Sequence, residues 1–164
     1  MRKWIVVLNA VALLAAVNFV IASRERLLEE GRVVLLELTP VDPRSLMQGD
    51  YMALRFKAAR DGFQSMSAAN GDGRIVLALD PRGVATFVRL DDGAALAADE
   101  VRVRYRVRHG EPKFATNGYF FEEGRASDFA NARFGEFRVA PDGEAILTGL
   151  RDGTLKALGE PRKK

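Results

Sequence analysis

The sequence predicts a mainly β protein, in which an N-terminal transmembrane helix precedes one compact antiparallel β domain, sandwich- or barrel-like, with one or two short helices. Three observations predict this class. An uncharged apolar segment opens the chain, segments that alternate with period two follow it, and Gly-containing turns recur at intervals of about ten residues. We therefore expect residues 1–30 to form the anchor and a short helical extension, residues 31–155 the β domain, and residues 156–164 a basic tail.

The composition of the chain excludes several classes of site. Of its 164 residues, 48% are apolar, which is enough to bury a core. There is no cysteine and the only histidine is His109, so disulfides, thiolate sites and imidazole metal clusters are excluded, and we expect no cofactor. The net charge of +3 comes mostly from Arg2, Lys3 and residues 162–164, so the high pI does not predict nucleic-acid binding.

The apolar segment at residues 4–22 predicts a membrane anchor. It has no charged residue, and as a helix it spans roughly 28 Å, close to the thickness of a bilayer core. Arg2 and Lys3 precede it, so we expect a cytoplasmic N-terminus and an exported C-terminal domain. A signal peptide cleaved near residues 20–22 is the alternative, although the apolar segment is longer than a usual signal peptide requires.

Alternating apolar residues predict the strands of the exported domain. In residues 51–56 we expect Met52, Leu54 and Phe56 to share one face. Two turns, at residues 80–83 and 140–143, predict hairpins. Besides the turn at residues 42–50, a helix is predicted where Ser23 continues the anchor to Glu30 and where Ser127 caps a turn ending at Ala132. Strands are predicted at residues 33–38, 51–56, 74–79, 84–90, 101–109, 135–139 and 144–150.

Residues 42–50 read as one capped helical turn between two strands. Asp42 suits the N-cap, Pro43 the first helical position, and Gly49 the point where the chain leaves with positive φ. Arg44 is near enough in sequence to pair with Asp50. The special residues of this segment are therefore expected to be mainly geometric, and the turn is expected to border a partner surface.

The same segment resembles the signature of the GDYXXLXY family, bacterial membrane-anchored proteins without an established biochemical role. The residues that match this signature are Gly49, Asp50, Tyr51 and Leu54, while Phe56 stands where the family has tyrosine. Residues 119–124, which include Glu123 and Gly124, and residues 134–139 are similar to the family as well. The resemblance implies an anchor and an extracytoplasmic domain, and it supplies no reaction. With it we expect a bacterial inner-membrane location and a periplasmic C-terminal domain.

A hydrolase is the alternative function that the sequence raises. Residues 45–50 resemble part of the catalytic box of the S26 signal peptidases, which are also anchored and rich in β structure. The position expected for the serine nucleophile holds Val41 instead, and Ser45, Lys57, Lys113 and His109 lack the motifs of a catalytic site. We therefore expect the protein not to be an enzyme.

Two clusters are candidate binding surfaces. Four arginines share one face of the strand at residues 101–109, namely Arg102, Arg104, Arg106 and Arg108. We expect them to pair with Asp92, Glu100 or Glu122, or else to bind anionic lipid headgroups or an acidic partner. Consecutive aromatic residues at 119–121 cannot all face a core, so one is expected to be covered by a loop or exposed for a partner. A module that binds or supports another envelope protein is thus the expected function.

Overall fold

The computed structural model describes residues 2–39, 47–48, 51–62, 71–108 and 111–159. The helices are α1 (Arg2–Glu30) and α2 (Lys57–Asp61), and a 3₁₀ turn covers Ala126–Phe129. The strands are β1 (Arg32–Glu37), β2 (Met47–Gln48), β3 (Tyr51–Ala53), β4 (Gly73–Leu79), β5 (Val84–Leu90), β6 (Glu100–Arg108), β7 (Glu111–Phe114), β8 (Gly118–Phe120), β9 (Phe134–Val139) and β10 (Ala145–Arg151). The prediction of a mainly β chain after an N-terminal apolar helix is confirmed.

Helix α1 exposes apolar side chains along its length. The exposed fraction is 79% for Trp4 and 76% for Phe19, and an 18-residue window within Val7–Glu30 has a mean hydropathy of 1.8. Such a helix is long and apolar enough to span a membrane, and lipid would remove its side chains from water. The helix continues to Glu30, as predicted, so that the extension beyond the apolar segment is helical.

A single glycine separates α1 from β1. The amide of Gly31 donates to the carbonyl of Leu27 at 3.0 Å, which closes the last helical turn. A Cβ at this glycine would lie 2.3 Å from the Leu27 carbonyl oxygen and 3.0 Å from the Cβ of Arg138. The Arg138 guanidinium also donates to the Gly31 carbonyl, at 3.1 Å. The helix therefore enters the sheet through a closely packed junction.

The main sheet contains seven of the described strands, in the order β10-β9-β1-β5-β4-β6-β7. Hairpins join β4 to β5 and β9 to β10, as the turn residues predicted. The β1–β5 pair is parallel, which the prediction of an antiparallel domain did not include. More than forty residues connect these two strands, and a parallel pair needs such a long crossover.

The β9–β10 turn nearly closes this sheet into a barrel. The amide of Arg104 in β6 donates to the carbonyl of Gly143 at 2.8 Å, so the turn occupies the edge of β6 that β7 leaves open. Gly143 has φ of 90°, a conformation that favours glycine, and a Cβ there would lie 3.3 Å from the Arg104 nitrogen. The positive φ and the close approach both favour glycine at this point.

A smaller sheet, in the order β2-β3-β8, joins the far end of β1. Leu38 forms a bridge with Phe56, and the amide of Thr39 donates to the Arg55 carbonyl at 2.7 Å. Strand β3 ends at Ala53, earlier than predicted, although the amide of Leu54 still donates to the Asn117 carbonyl at 2.7 Å. Helix α2 follows directly and was not predicted.

The core lies inside the nearly closed sheet. Met52, Leu54 and Phe56 are each at most 3% exposed, which confirms the predicted common face. The Phe56 ring packs edge-on against Phe137, with centroids 5.4 Å apart. Other side chains buried in this cluster are Val34, Leu36, Ile75, Leu77, Val101, Val103, Tyr105, Phe114, Phe129, Val139 and Leu150.

The C-terminal segments differ in detail from the prediction. The 3₁₀ turn begins one residue before Ser127, and no side chain caps its first turn, so the predicted Ser127 cap is wrong. The buried ring of Phe129, which is 3% exposed, holds this turn against the core instead. After β10, the Leu158 amide donates to the Leu150 carbonyl at 2.9 Å, which attaches the chain to the sheet as far as this point. The terminal basic residues 162–164 lie outside the described residues.

We predict that Gly135→Ala destabilises the domain because its Cβ would crowd two rigid rings. It would lie 3.1 Å from both Phe56 and Phe137, and overpacking of this kind costs about 1–3 kcal/mol. Gly149→Ala in the neighbouring strand is the control, since no atom lies within 4 Å of its Cβ position. Urea unfolding of the full chain in detergent measures both variants. Equal stability of the two would contradict this packing.

Candidate functional site

The structure describes only part of the predicted signature site. The signature residues outside the described ranges are Asp42, Pro43, Arg44, Gly49 and Asp50. The predicted geometry of the turn at residues 42–50 therefore stays a prediction. Ser45 and His109 lie outside the described residues as well, so their part in the hydrolase alternative stays a prediction.

The described signature residues divide into an inner and an outer set. Leu54 and Phe56 are each 2% exposed and belong to the core. Tyr51 instead points outward, is 37% exposed, and lies opposite Phe120 in the β3–β8 register. The two rings are 5.7 Å apart between centroids and tilted by 34°. They form an exposed aromatic pair, Tyr51 and Phe120, on the small sheet.

Phe120 is the exposed member of the aromatic cluster predicted at residues 119–121. Its exposed fraction is 76%, whereas Tyr119 and Phe121 pack on Phe129 with centroid distances of 5.1 and 5.2 Å. Of the two alternatives for this cluster, cover by a loop and exposure, the structure therefore shows exposure at Phe120.

Glu123 and Gly124 form the turn that follows the small sheet. Gly124 has φ of 79°, and the amide of Arg125 donates to the Glu122 carbonyl at 3.1 Å. Both Glu123 and Gly124 are exposed. Their place in the fold is that of a tight reversal that returns the chain to the 3₁₀ turn.

The arginine face of β6 exists as predicted. Val101, Val103 and Tyr105 are buried in the core, so the intervening arginines face outward. Burial raises the pKa of Tyr105 above its ordinary value, as expected for a phenol inside the sheet.

The acids that bind these arginines are not the predicted ones. Arg102 lies 3.0 Å from Asp91, Arg104 lies 2.6 Å from Asp142, and Arg108 lies 2.9 Å from Asp72. Of the predicted partners, Glu100 binds Arg89 at 2.6 Å, and Glu122 lies 3.8 Å from Arg125.

The three partner aspartates share a sequence signal. Asp72 and Asp142 stand directly before a glycine, and Asp91 stands two residues before Gly93. Asp72 and Asp142 belong to Gly-containing turns of the sequence, and Asp91 and Asp142 accept an amide hydrogen bond within their turns, from Gly93 and Glu144. An aspartate that marks a turn can thus also bind an arginine on a neighbouring strand.

Asp91 is the most buried acid of this network. Its side chain is 2% exposed and accepts from Arg102 at 3.0 Å and from Arg74 at 2.9 Å. Burial alone would raise the pKa of Asp91, but the hydrogen bonds from Arg102 and the Gly93 amide and both guanidinium charges lower it below its ordinary value. The folded chain thus stabilises the ionised carboxylate.

Arg106 differs from the other three arginines. Among the side chains that the structure places, the ion pairs of this face link Arg102, Arg104 and Arg108 to aspartates, and none includes Arg106. Its register partner across the β6–β7 pair is Lys113, so two cations lie directly opposite each other. Like charges in this arrangement repel and destabilise a sheet.

The described residues offer little to the hydrolase alternative. The ammonium of Lys57 lies 3.0 Å from Glu37 and its side chain is 46% exposed, whereas a lysine that activates a serine must be desolvated. Lys113, the other candidate, lies opposite a second cation. Over the described ranges, no three histidine or acidic side chains form a group that could hold a metal ion.

Comparison with known proteins identifies one family. The model of the GDYXXLXY protein family matches residues 13–150, which is most of the chain. The match extends from the apolar helix to the last strand of the main sheet. No curated protein and no solved structure matches the chain.

We predict that Asp91→Asn lowers the free energy of unfolding by about 1–3 kcal/mol at neutral pH, because two guanidinium groups lose a buried partner. The pKa of Asp91 is lower in the folded chain than its ordinary value of 3.8. Its contribution is therefore complete above pH 3.8 and is lost as the pH falls through the folded value, and the difference between wild type and variant shrinks with it.

The matched control is Asp92→Asn, one residue along the same loop. Its carboxylate is exposed and accepts an amide hydrogen bond from Ala94, which asparagine can also accept. We expect a change within about 0.5 kcal/mol. Urea unfolding from pH 3 to pH 7 measures both variants, and equal losses would contradict the role of Asp91.

Proposed function

This chain belongs to the GDYXXLXY protein family, and we propose that it is a single-pass binding or assembly module of the bacterial inner membrane. Its N-terminus lies in the cytoplasm and its β domain in the periplasm. The domain binds another envelope or membrane protein and performs no chemistry of its own. Helix α1 supports the anchoring part of this proposal, since it is long and apolar enough to span a membrane.

The exposed aromatic pair is the observation on which the partner proposal depends. Burial in the core accounts for Leu54 and Phe56 of the signature, but it does not account for Tyr51, whose ring turns outward to Phe120. Paired aromatic rings that remain in water are typical of protein interfaces, where a partner covers them. The signature thus supplies one residue that suits recognition.

The position of the pair relative to the anchor indicates where a partner would bind. Strand β1 begins at the end of α1, and its far end reaches the bridge between Leu38 and Phe56 beside the small sheet. A strand of this length spans roughly 20 Å. The partner therefore needs a part that extends beyond the lipid surface to reach Tyr51 and Phe120.

Photo-crosslinking from the aromatic pair tests the partner proposal. A photoreactive phenylalanine analogue at Phe120 retains the aromatic ring at an exposed position. We expect one discrete crosslinked product in the native membrane, and its yield should fall several-fold with Tyr51→Ser because the second ring is lost. Mass spectrometry of the product identifies a partner protein or a second copy.

The control carries the same analogue at Val88 on β5, an apolar residue that is 44% exposed. General stickiness of exposed apolar residues would give equal products at both positions. Recovery of the monomer alone from Phe120, or the same products from Val88, would contradict a partner surface at the aromatic pair.

The membrane topology gives a separate prediction. We expect alkaline phosphatase fused after residue 164 to be active, because it folds outside the cytoplasm, and a fused green fluorescent protein to stay dark. The full-length chain should remain in the membrane fraction after a salt wash, which separates a retained anchor from a cleaved signal peptide. A fluorescent green fluorescent protein fusion together with an inactive phosphatase fusion would contradict the proposed orientation.

A further inference from the structure

A basic cavity lies between the arginine face of β6 and the end of the anchor. Its volume is about 380 Å³, within the usual range of small-ligand sites. Five cations and one acid contribute to its lining. The residues that line it are Arg24, Arg104, Arg106, Arg108, Lys113, Ala115, Glu144 and Ala145.

Three of the five cations already have an acidic partner. Arg24 contacts Glu144, and Arg104 and Arg108 bind Asp142 and Asp72 as described above. Arg106 and Lys113 remain, and no ion pair among the side chains that the structure places includes either. The cavity therefore has two positive charges in excess among the side chains that the structure describes.

The two excess positive charges lie directly opposite each other in the sheet. Arg106 and Lys113 are register partners in the antiparallel β6–β7 pair, so their side chains leave the sheet on the same face. Repulsion between them is relieved when an anion binds to both. A phosphate oxygen suits the two donors, because guanidinium and ammonium groups form charge-assisted hydrogen bonds with it.

The anchor places this cavity close to lipid. The uncharged segment ends at Ala22, and Arg24 follows two residues later on the same continuous helix. Arg24 is also the residue that joins the anchor to Glu144 on the cavity wall. A cationic site at this height meets the phosphates of the membrane surface, where each basic residue gains about 1 kcal/mol from anionic lipid.

We propose that this cavity binds the phosphate group of an anionic phospholipid headgroup, with Arg106 and Lys113 as its principal donors and Arg24 at its membrane side. Binding neutralises the opposed cations and fixes the β domain against the lipid surface. The inference requires that α1 lies in a membrane, but it does not depend on the partner surface at Tyr51 and Phe120.

Native mass spectrometry of the full chain tests the proposal. The protein is equilibrated in detergent with equal amounts of phosphatidylglycerol and phosphatidylcholine that have the same acyl chains. We expect wild type to retain the anionic lipid preferentially. Arg106→Gln with Lys113→Gln should reduce this preference roughly thirty-fold, since two charge contacts are lost. An unchanged preference would overturn the proposal, whether or not the variant loses an acidic protein partner.

The control removes the same charges elsewhere. Lys57→Gln with Arg60→Gln deletes one lysine and one arginine from α2, outside the cavity lining, and we expect it to keep the wild-type lipid preference. An equal loss in this control would overturn a specific site in favour of general charge attraction.

Competition with millimolar inorganic phosphate identifies the source of the anion. Displacement of the lipid by inorganic phosphate supports a phosphate site that is also open to solution, and retention of the lipid supports a site that needs the membrane.

A thermal unfolding scan without anionic lipid gives the second readout. The double variant should melt at or above the wild-type temperature because it removes a repulsion. A lower melting temperature would show that the two cations stabilise the fold through other contacts, and would overturn the proposal.

Discussion

The alternation along β6 is the constraint on which the domain depends. One face of this strand supplies Val103 and Tyr105 to the core, and the other face sends arginines to the aspartates of three different connections. A shift of one residue would bury the arginines and expose the core, so the register is strongly specified. The pairs of Arg104 and Arg108 are exposed and add little to stability by themselves. Their value is geometric, because each one attaches a connection to the same strand.

The Arg104 contact shows how this constraint closes the barrel. The backbone of Arg104 holds the Gly143 carbonyl while its guanidinium binds Asp142 in the same turn. The edge of β6 is thereby covered by a turn rather than by another strand, which protects it from pairing with other chains. Arg104 therefore has two roles in the closure, and a change to alanine would keep the backbone role alone.

The sequence predicted the local patterns and missed the long-range ones. Period-two alternation assigned the faces of β6 and of Met52, Leu54 and Phe56, and the turn residues located both hairpins. The parallel β1–β5 pair was missed because a crossover of this length leaves no periodic signal. Helix α2 was missed because five residues are too few for a helical period. For the signature site, sequence identified Tyr51 but not its stacking on Phe120, since that contact depends on the pairing of β3 with β8.

The junction at Gly31 has a mechanical consequence. No flexible linker separates the apolar helix from the sheet, and the Arg138 guanidinium donates to the junction carbonyl. The helix and the β domain therefore behave as one rigid body. Any tilt of the helix in a bilayer therefore tilts the β domain by the same angle. Membrane thickness, which a helix accommodates in part by tilting, thereby alters the height and orientation at which the far end of the β domain meets its surroundings.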